Sequence, residues 1–175
     1  MVMTYSVGCL WTLSLIVLGL AAVSDFRHRI LPNRMALLTA ACGLAIRLMT
    51  DPRALGWSIG IALLLLSVLG AAAGRQWIGG GDAKLMAAVT LLMPPGGVTA
   101  LLLSIAISGG ILSGLYLVAH ALTRRAGARS RDAARYPAAI LHIAMSRSVP
   151  YGVAIFAGAA FVGLSEAARW LYAIS

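Results

Sequence analysis

The chain has 175 residues, of which 61% are hydrophobic and only 11% are charged. A soluble domain of this size keeps about a quarter of its residues charged, so the composition excludes an ordinary soluble globular protein. The net charge of +9 comes from basic residues in short runs between apolar stretches, which indicates orientation in a membrane rather than nucleic-acid binding. Cys9 and Cys42 form no CxxC pair, so neither a zinc site nor a disulfide framework is predicted.

Six apolar stretches predict an all-α, polytopic membrane protein, one bundle of about six transmembrane helices without a separate soluble domain. They cover residues of about 5–23, 35–49, 55–73, 83–93, 98–122 and 149–171. A crossing needs ~20 residues, so the second and fourth stretches are short. Arg47, near the end of the second, is predicted to snorkel to the membrane interface.

The basic residues predict the orientation of these spans, because connecting loops alternate between the two sides. One side receives eleven of the fourteen: Arg27, Arg29, Arg34, Arg75, Lys84, Arg124, Arg125, Arg129, Arg131, Arg135 and Arg147. The other side receives three: Arg47, Arg53 and Arg169. The richer side is predicted to be cytoplasmic, which places both termini outside and makes the Arg-rich loop 123–148 a cytoplasmic anchor.

Several glycines have the spacing of close helix contacts, a small residue at every fourth position. The pairs are Gly56/Gly60, Gly70/Gly74 and Gly110/Gly114. We interpret them as packing within one bundle rather than as a dimer interface.

Two of the five acidic residues are candidates for chemistry. Asp25 lies where the first span meets the cytoplasmic face, and Asp82 ends a run of three glycines and opens the fourth span. The predicted topology therefore puts both on one face of the membrane. A carboxylate near hydrocarbon costs ~2.5–3.5 kcal/mol or more at the centre, and such a residue is usually functional. Two neighbouring carboxylates share one proton, so that one can activate water while the other polarises a peptide carbonyl. This chemistry needs neither a metal nor a cofactor.

The glycines before Asp82 suit a peptidase, and each aspartate also has a plain structural interpretation. Gly79 and Gly81 are predicted to bind substrate, because residues without Cβ let an extended backbone approach closely. Asp82 is also well placed as the N-cap of its helix. Asp25 can equally be an interfacial ion pair with the arginines that follow it.

Three motifs resemble those of the type IV prepilin peptidases. Asp25 followed by Ile30-Leu31-Pro32-Asn33 resembles the family's first motif, an Asp ahead of Ile-Pro-Asn, with Leu31 as an extra residue. The segment Gly79-Gly80-Gly81-Asp82-Ala83-Lys84 resembles the second motif, GxGD followed by a lysine. Val149-Pro150-Tyr151-Gly152 is similar to the Pro-Tyr-Gly stretch that opens the family's last helix. The motifs come in the family's order and, with the six spans, cover nearly the whole chain.

The resemblance implies a GxGD-type intramembrane aspartic endopeptidase of the bacterial inner membrane, with Asp25 and Asp82 as the catalytic pair. Such enzymes remove the basic leader of type IV prepilins and pseudopilins at the cytoplasmic face, just ahead of the substrate's hydrophobic helix. Larger members add a cytoplasmic domain for N-methylation. This sequence resembles the short, peptidase-only form of tight-adherence (Flp) pilus systems. The expected partners are therefore prepilins and membrane lipid, with no nucleic acid and no cofactor.

Two functions of other classes are the alternatives. A small proton- or ion-coupled transporter would use the aspartates as relay groups, but it predicts charged residues in the middle of several spans and often related halves. A non-catalytic subunit of an assembly would use Asp25 and Asp82 only as caps.

Overall fold

The computed structural model describes residues 2–127 and 149–172, and these residues contain helices but no strands. Six α-helices follow one another, with a 3₁₀ turn at Pro95–Gly97: α1 Val2–His28, α2 Asn33–Thr50, α3 Leu55–Gly74, α4 Gly80–Thr90, α5 Val98–Gly127 and α6 Tyr151–Tyr172. The all-α prediction is confirmed over this part of the chain. Most of the Arg-rich loop predicted to be a cytoplasmic anchor, residues 128–148, lies outside the described residues.

Three helical segments in the described ranges are long and apolar enough to cross a membrane. They are Tyr5–His28, Leu55–Gly74 and Pro95–Ala121, while the apolar part of α6, Tyr151–Ser165, is shorter. Helix α4 has 11 residues, a length of about 16 Å against a hydrocarbon core of about 30 Å. The architecture is that of a helical membrane protein, but the prediction of six crossings is not confirmed.

The short helix α4 lies inside the bundle. It packs against α2 and α3 and touches α6, while α1 packs between α2 and α6, and α5 packs on α6. Its residues Leu85 and Val89 are buried, and they belong to a core that also includes Leu18, Ile46 and Ile155. Apolar side chains on all sides explain why so short a helix is stable there.

The outer faces of the long helices are apolar as well. Leu63 and Leu64 of α3 and Leu115 and Leu117 of α5 are all more than half exposed. Large apolar side chains exposed along long apolar helices are typical of contact with lipid.

Arg47 occupies a different position from the one predicted. Arg47 is only 6% exposed. Its Nη2 donates a hydrogen bond of 3.3 Å to the carbonyl of Leu92, just beyond α4. Leu92 follows the C-cap residue of α4, Leu91, and a buried backbone carbonyl needs a hydrogen-bond partner. Because α4 ends inside the bundle, it gives the guanidinium a buried partner. The prediction that Arg47 snorkels to the interface is therefore wrong.

The glycine pairs also differ from expectation. A Cβ built on any of the six would meet no described heavy atom within 4 Å, so these residues do not mediate packing in the described bundle. Close helix approach occurs at other glycines instead. A Cβ on Gly43 would lie 2.7 Å from Leu91 Cβ, and one on Gly158 would lie 2.7 Å from Ile105 Cα.

Substitution of Gly43 by alanine is expected to destabilise the protein. The new Cβ would lie 2.8 Å from the carbonyl carbon of Leu91 and 3.0 Å from the backbone nitrogen of Leu92, so α2 and α4 must separate. Overpacking of this kind costs about 1–3 kcal/mol. The measurement is the thermal unfolding midpoint in detergent, with Gly60→Ala as the matched control because that site is open. Equal midpoints for the two variants would show that α2 and α4 do not meet at Gly43.

Candidate active site

Asp25 lies in the last turns of α1, at a helix end that is fixed by local hydrogen bonds. The N–H of Arg29 bonds to the carbonyl of Asp25 at 3.0 Å, and Arg29 has a positive φ of 56° that turns the chain out of the helix. Ser24 Oγ donates to the carbonyl of Ile30 at 2.9 Å. These bonds hold the segment after α1 against the helix, and the Asp25 residue is only 8% exposed.

Asp82 is placed by the way in which α4 begins. Gly79 is the N-cap, and Gly80 and Gly81 are already helical, so Asp82 is the third residue of the helix. Its carboxylate accepts a hydrogen bond from the N–H of Gly79, the reach-back contact known from capping boxes. The prediction that Asp82 is itself the N-cap is therefore wrong, because the glycines enter the helix instead of ending before it.

The two glycines predicted to bind substrate have different surroundings. A Cβ on Gly79 would lie 2.6 Å from Asp82 Oδ2, so glycine leaves room for that carboxylate. A Cβ on Gly81 would lie 2.7 Å from Leu31 Cβ, so glycine there lets α4 approach the segment after α1. Gly79 lines the cavity described below and Gly81 is not among its lining residues. Their roles in substrate binding stay predictions.

A hydrogen bond joins the first two motifs directly. Lys84 Nζ donates to Asn33 Oδ1 at 3.0 Å, linking the start of α4 to the start of α2. Nothing in the sequence identified Asn33 as the partner of Lys84.

The third motif contacts Asp25. The N–H of Gly152 donates a hydrogen bond of 2.7 Å to Asp25 Oδ2. A Cβ on Gly152 would lie 3.0 Å from both Asp25 Cβ and Oδ2, so only glycine brings this backbone so close without displacing the carboxylate. Sequence reasoning noted the Pro-Tyr-Gly stretch and missed this contact.

Asp25 and Asp82 line the same cavity, which has a volume of about 680 Å³. It is lined by the ends of α1 and α3, by α4 and by the start of α6: Asp25, Arg29, Leu69, Ala73, Gln76, Trp77, Ile78, Gly79, Asp82, Met86, Val149 and Tyr151. Asp82 Oδ1 is buried and has no hydrogen-bond partner among the described residues. No group of three or more His, Cys, Asp or Glu side chains gathers to hold a metal ion in the part that the structure describes.

The surroundings of Asp82 favour its protonated form. Asp82 precedes the apolar stretch 83–93 and lies in none of the three helices long enough to cross the membrane. Burial and, to a smaller extent, the negative charge of Asp25 raise the pKa of Asp82 to about 6, against the lowering effect of the Gly79 N–H. The two carboxyl groups therefore interact, which is the condition for sharing one proton.

Comparison with known protein families identifies the family of this chain. The sequence model of the type IV leader peptidase family matches residues 12–117, more than half of the chain. The chain belongs to this family. As a type IV leader peptidase-like protease with long apolar helices, it is a membrane protein. No curated protein and no solved structure gave a significant match.

The family match covers part of the cavity. Asp25 and Asp82 both fall inside residues 12–117, whereas Gly152 falls outside them. The hydrogen bond from Gly152 to Asp25 thus joins the matched region of this leader peptidase to a helix beyond it.

Proposed function

We propose that this protein is a membrane-embedded aspartic endopeptidase that cleaves the basic leader from type IV prepilins or pseudopilins at the cytoplasmic face. Asp25 and Asp82 are the catalytic residues, and they activate one water molecule between them. The proposal includes the resemblance to the peptidases of tight-adherence pilus systems. Its substrates combine a basic leader with a hydrophobic helix.

The observation that carries this proposal is that two acidic residues, 57 positions apart by number (82 minus 25), line one cavity and interact electrostatically. Neither residue alone argues for an enzyme, because each has a structural role at a helix end. Two carboxylates in one partly buried cavity form a costly arrangement, and general acid–base catalysis gives a reason for it.

The local contacts support different catalytic roles for the two carboxyl groups. Asp82, whose protonated form is favoured by burial, donates a proton toward the carbonyl oxygen of the scissile peptide. Asp25, held by the Gly152 N–H, accepts a proton from the attacking water. The resulting gem-diol intermediate collapses when Asp25 passes the proton it took from water to the amine nitrogen, which breaks the C–N bond. One hydroxyl of the gem-diol returns a proton to Asp82 as the product carboxyl group forms, so that the starting state of the pair is restored.

The position of the cavity supports a substrate that changes from polar to apolar. The cavity lies where α1 and α3 end, next to Trp77, which is 75% exposed. The Arg75 guanidinium lies over the Trp77 ring, 5.7 Å from its centroid. Exposed Trp and Arg are typical of the border between hydrocarbon and water, where the leader of a prepilin would meet its hydrophobic helix.

The test is co-expression with a leader-bearing type IV prepilin, followed by electrophoresis and mass spectrometry of the product. We expect the pilin to lose its leader only when the peptidase is present. An unchanged prepilin mass in membranes that contain folded enzyme would favour the non-catalytic assembly subunit. Proton or ion flux into proteoliposomes of the purified protein, without processing, would favour the transporter.

The raised pKa of Asp82 predicts the pH dependence of the reaction. Since the acid form of Asp82 is required and is lost in the free enzyme as pH rises through about 6, kcat/KM should fall toward tenfold per pH unit above that value. The measurement is the processing rate of purified enzyme in detergent from pH 5.5 to 8, with unfolding followed in parallel as a control. A flat rate over this range would contradict the assignment of Asp82 as the proton donor.

A further inference from the structure

Backbone strain in the described residues is concentrated at the cavity. Arg29 and Gln76 are the non-glycine residues with positive φ in the described ranges, at 56° and 60°. Both line the cavity that holds the two aspartates. Residues in this left-handed conformation tend to cluster at active sites and ligand-binding sites, so the coincidence points to function.

Gln76 occupies a position where glycine is the usual residue. The N–H of Gln76 bonds to the carbonyl of Ala73 at 2.9 Å, and the N–H of Trp77 bonds to that of Ala72 at 3.1 Å. This pair of bonds is the Schellman motif, whose left-handed residue is most often glycine because a Cβ is strained there. The geometry of the helix end therefore favours glycine and does not explain a glutamine.

Contacts within the protein do not explain the glutamine either. The Gln76 residue is exposed, and its side chain makes no hydrogen bond with the rest of the described chain. Arg29, the other strained residue, differs because its Nη2 donates to Tyr116 Oη at 3.4 Å. Gln76 thus lines the cavity, and its carboxamide forms no hydrogen bond with the described chain.

We propose that Gln76 is a substrate-binding residue whose carboxamide pairs with the peptide backbone next to the scissile bond. A carboxamide offers two N–H donors and one carbonyl acceptor, which matches the N–H and C=O groups of an extended peptide. Being neutral, it leaves the protonation of Asp25 and Asp82 unchanged, as a lysine or glutamate there would not. The inference rests on the proposed peptidase function and adds a residue that hydrogen-bonds to the main chain of the substrate.

The decisive variant is Gln76→Gly, because it removes the carboxamide and relieves the backbone strain at once. A purely structural role predicts an equal or higher unfolding midpoint with unchanged kinetics. A role in substrate binding also predicts an equal or higher unfolding midpoint. In addition, KM for a leader-bearing prepilin should rise about tenfold, because two hydrogen bonds are lost, while kcat stays within twofold of wild type. Unchanged KM, or a fall confined to kcat, overturns the proposal.

Further variants and a binding measurement separate this proposal from its alternatives. Gln76→Asn keeps a carboxamide and tolerates positive φ, so it should recover part of the lost affinity. Ser67→Ala, an exposed polar substitution on α3 whose Oγ bonds only to Leu63 O, should leave KM unchanged.

Binding is measured in an Asp82→Asn background with a fluorescent synthetic leader peptide that extends into the apolar helix. Gln76→Gly should weaken the Kd about tenfold in that background, and an equal Kd overturns the inference. If wild-type enzyme fails to cleave prepilin at all, the proposed function fails. If wild type cleaves and Gln76→Gly cleaves with the same KM, only the inference about Gln76 fails.

Discussion

Asp25→Asn and Asp82→Asn should each abolish prepilin processing while leaving the bundle folded. Asparagine keeps the size of the side chain but neither gains nor loses a proton in the physiological range. Proton transfer by a positioned group contributes roughly 10²–10⁴-fold to a rate, so each single variant should lose at least about 10²-fold in kcat. Processing is followed by the change in pilin mass, and folding by the unfolding midpoint of the purified protein.

The double variant tests whether the two aspartates act together. Residues that act as a unit give non-additive losses, so Asp25→Asn with Asp82→Asn should be no slower than the slower single variant. Asp51→Asn is the matched control, because Asp51 is exposed at the end of α2 and its Oδ1 accepts a bond from the Ala54 N–H at 3.2 Å. Normal processing in either catalytic variant would refute the two-aspartate mechanism.

Gly152→Ala should reduce turnover without preventing folding. The alanine Cβ would lie 3.0 Å from Asp25 Oδ2 and 3.3 Å from Asp25 Cγ, so the carboxylate must move by a few tenths of an ångström. The backbone bond from residue 152 does not depend on the side chain and is retained. A misplacement of 1 Å can cost about 10²-fold in rate, so we expect kcat to fall on the order of tenfold, with a larger loss for Gly152→Val.

Kinetics and stability together test the contact between Gly152 and Asp25. Gly110→Ala is the matched control, because a Cβ there meets no described atom within 4 Å. It should process prepilin at the wild-type rate, while Gly152→Ala should show a lowered kcat with little change in KM. A Gly152→Ala enzyme with wild-type kcat would mean that the Asp25 position is not set by this contact.

The sequence predicted the parts of the structure that follow from composition and local pattern. Apolar stretches identified the helices, because a chain in lipid must satisfy its backbone hydrogen bonds internally. The predicted and observed bounds agree closely for α3, which was expected at about 55–73 and found at Leu55–Gly74. The predicted topology put Asp25 and Asp82 on one face of the membrane, and both line one cavity in the structure; their catalytic role stays a prediction.

What the sequence could not predict depends on contacts between distant segments. The burial of Arg47 requires knowing that α4 ends inside the bundle beside α2. The sequence does not distinguish Gly60, which has open space beside it, from Gly43, which contacts a neighbouring helix. The spacing of glycines does not show which face of a helix meets a neighbour. The contact of Gly152 with Asp25 joins residues that are far apart in the chain. The Pro-Tyr-Gly motif indicated that Gly152 matters but not which residue it contacts.

Helix α4 is tied to α2 at both of its ends. Lys84 reaches Asn33 near the beginning of α4, and Arg47 reaches the carbonyl of Leu92 just past its end. The two hydrogen bonds join α2 to the helix that carries Asp82. A displacement of α2 is therefore expected to shift the Asp82 carboxyl group along with α4.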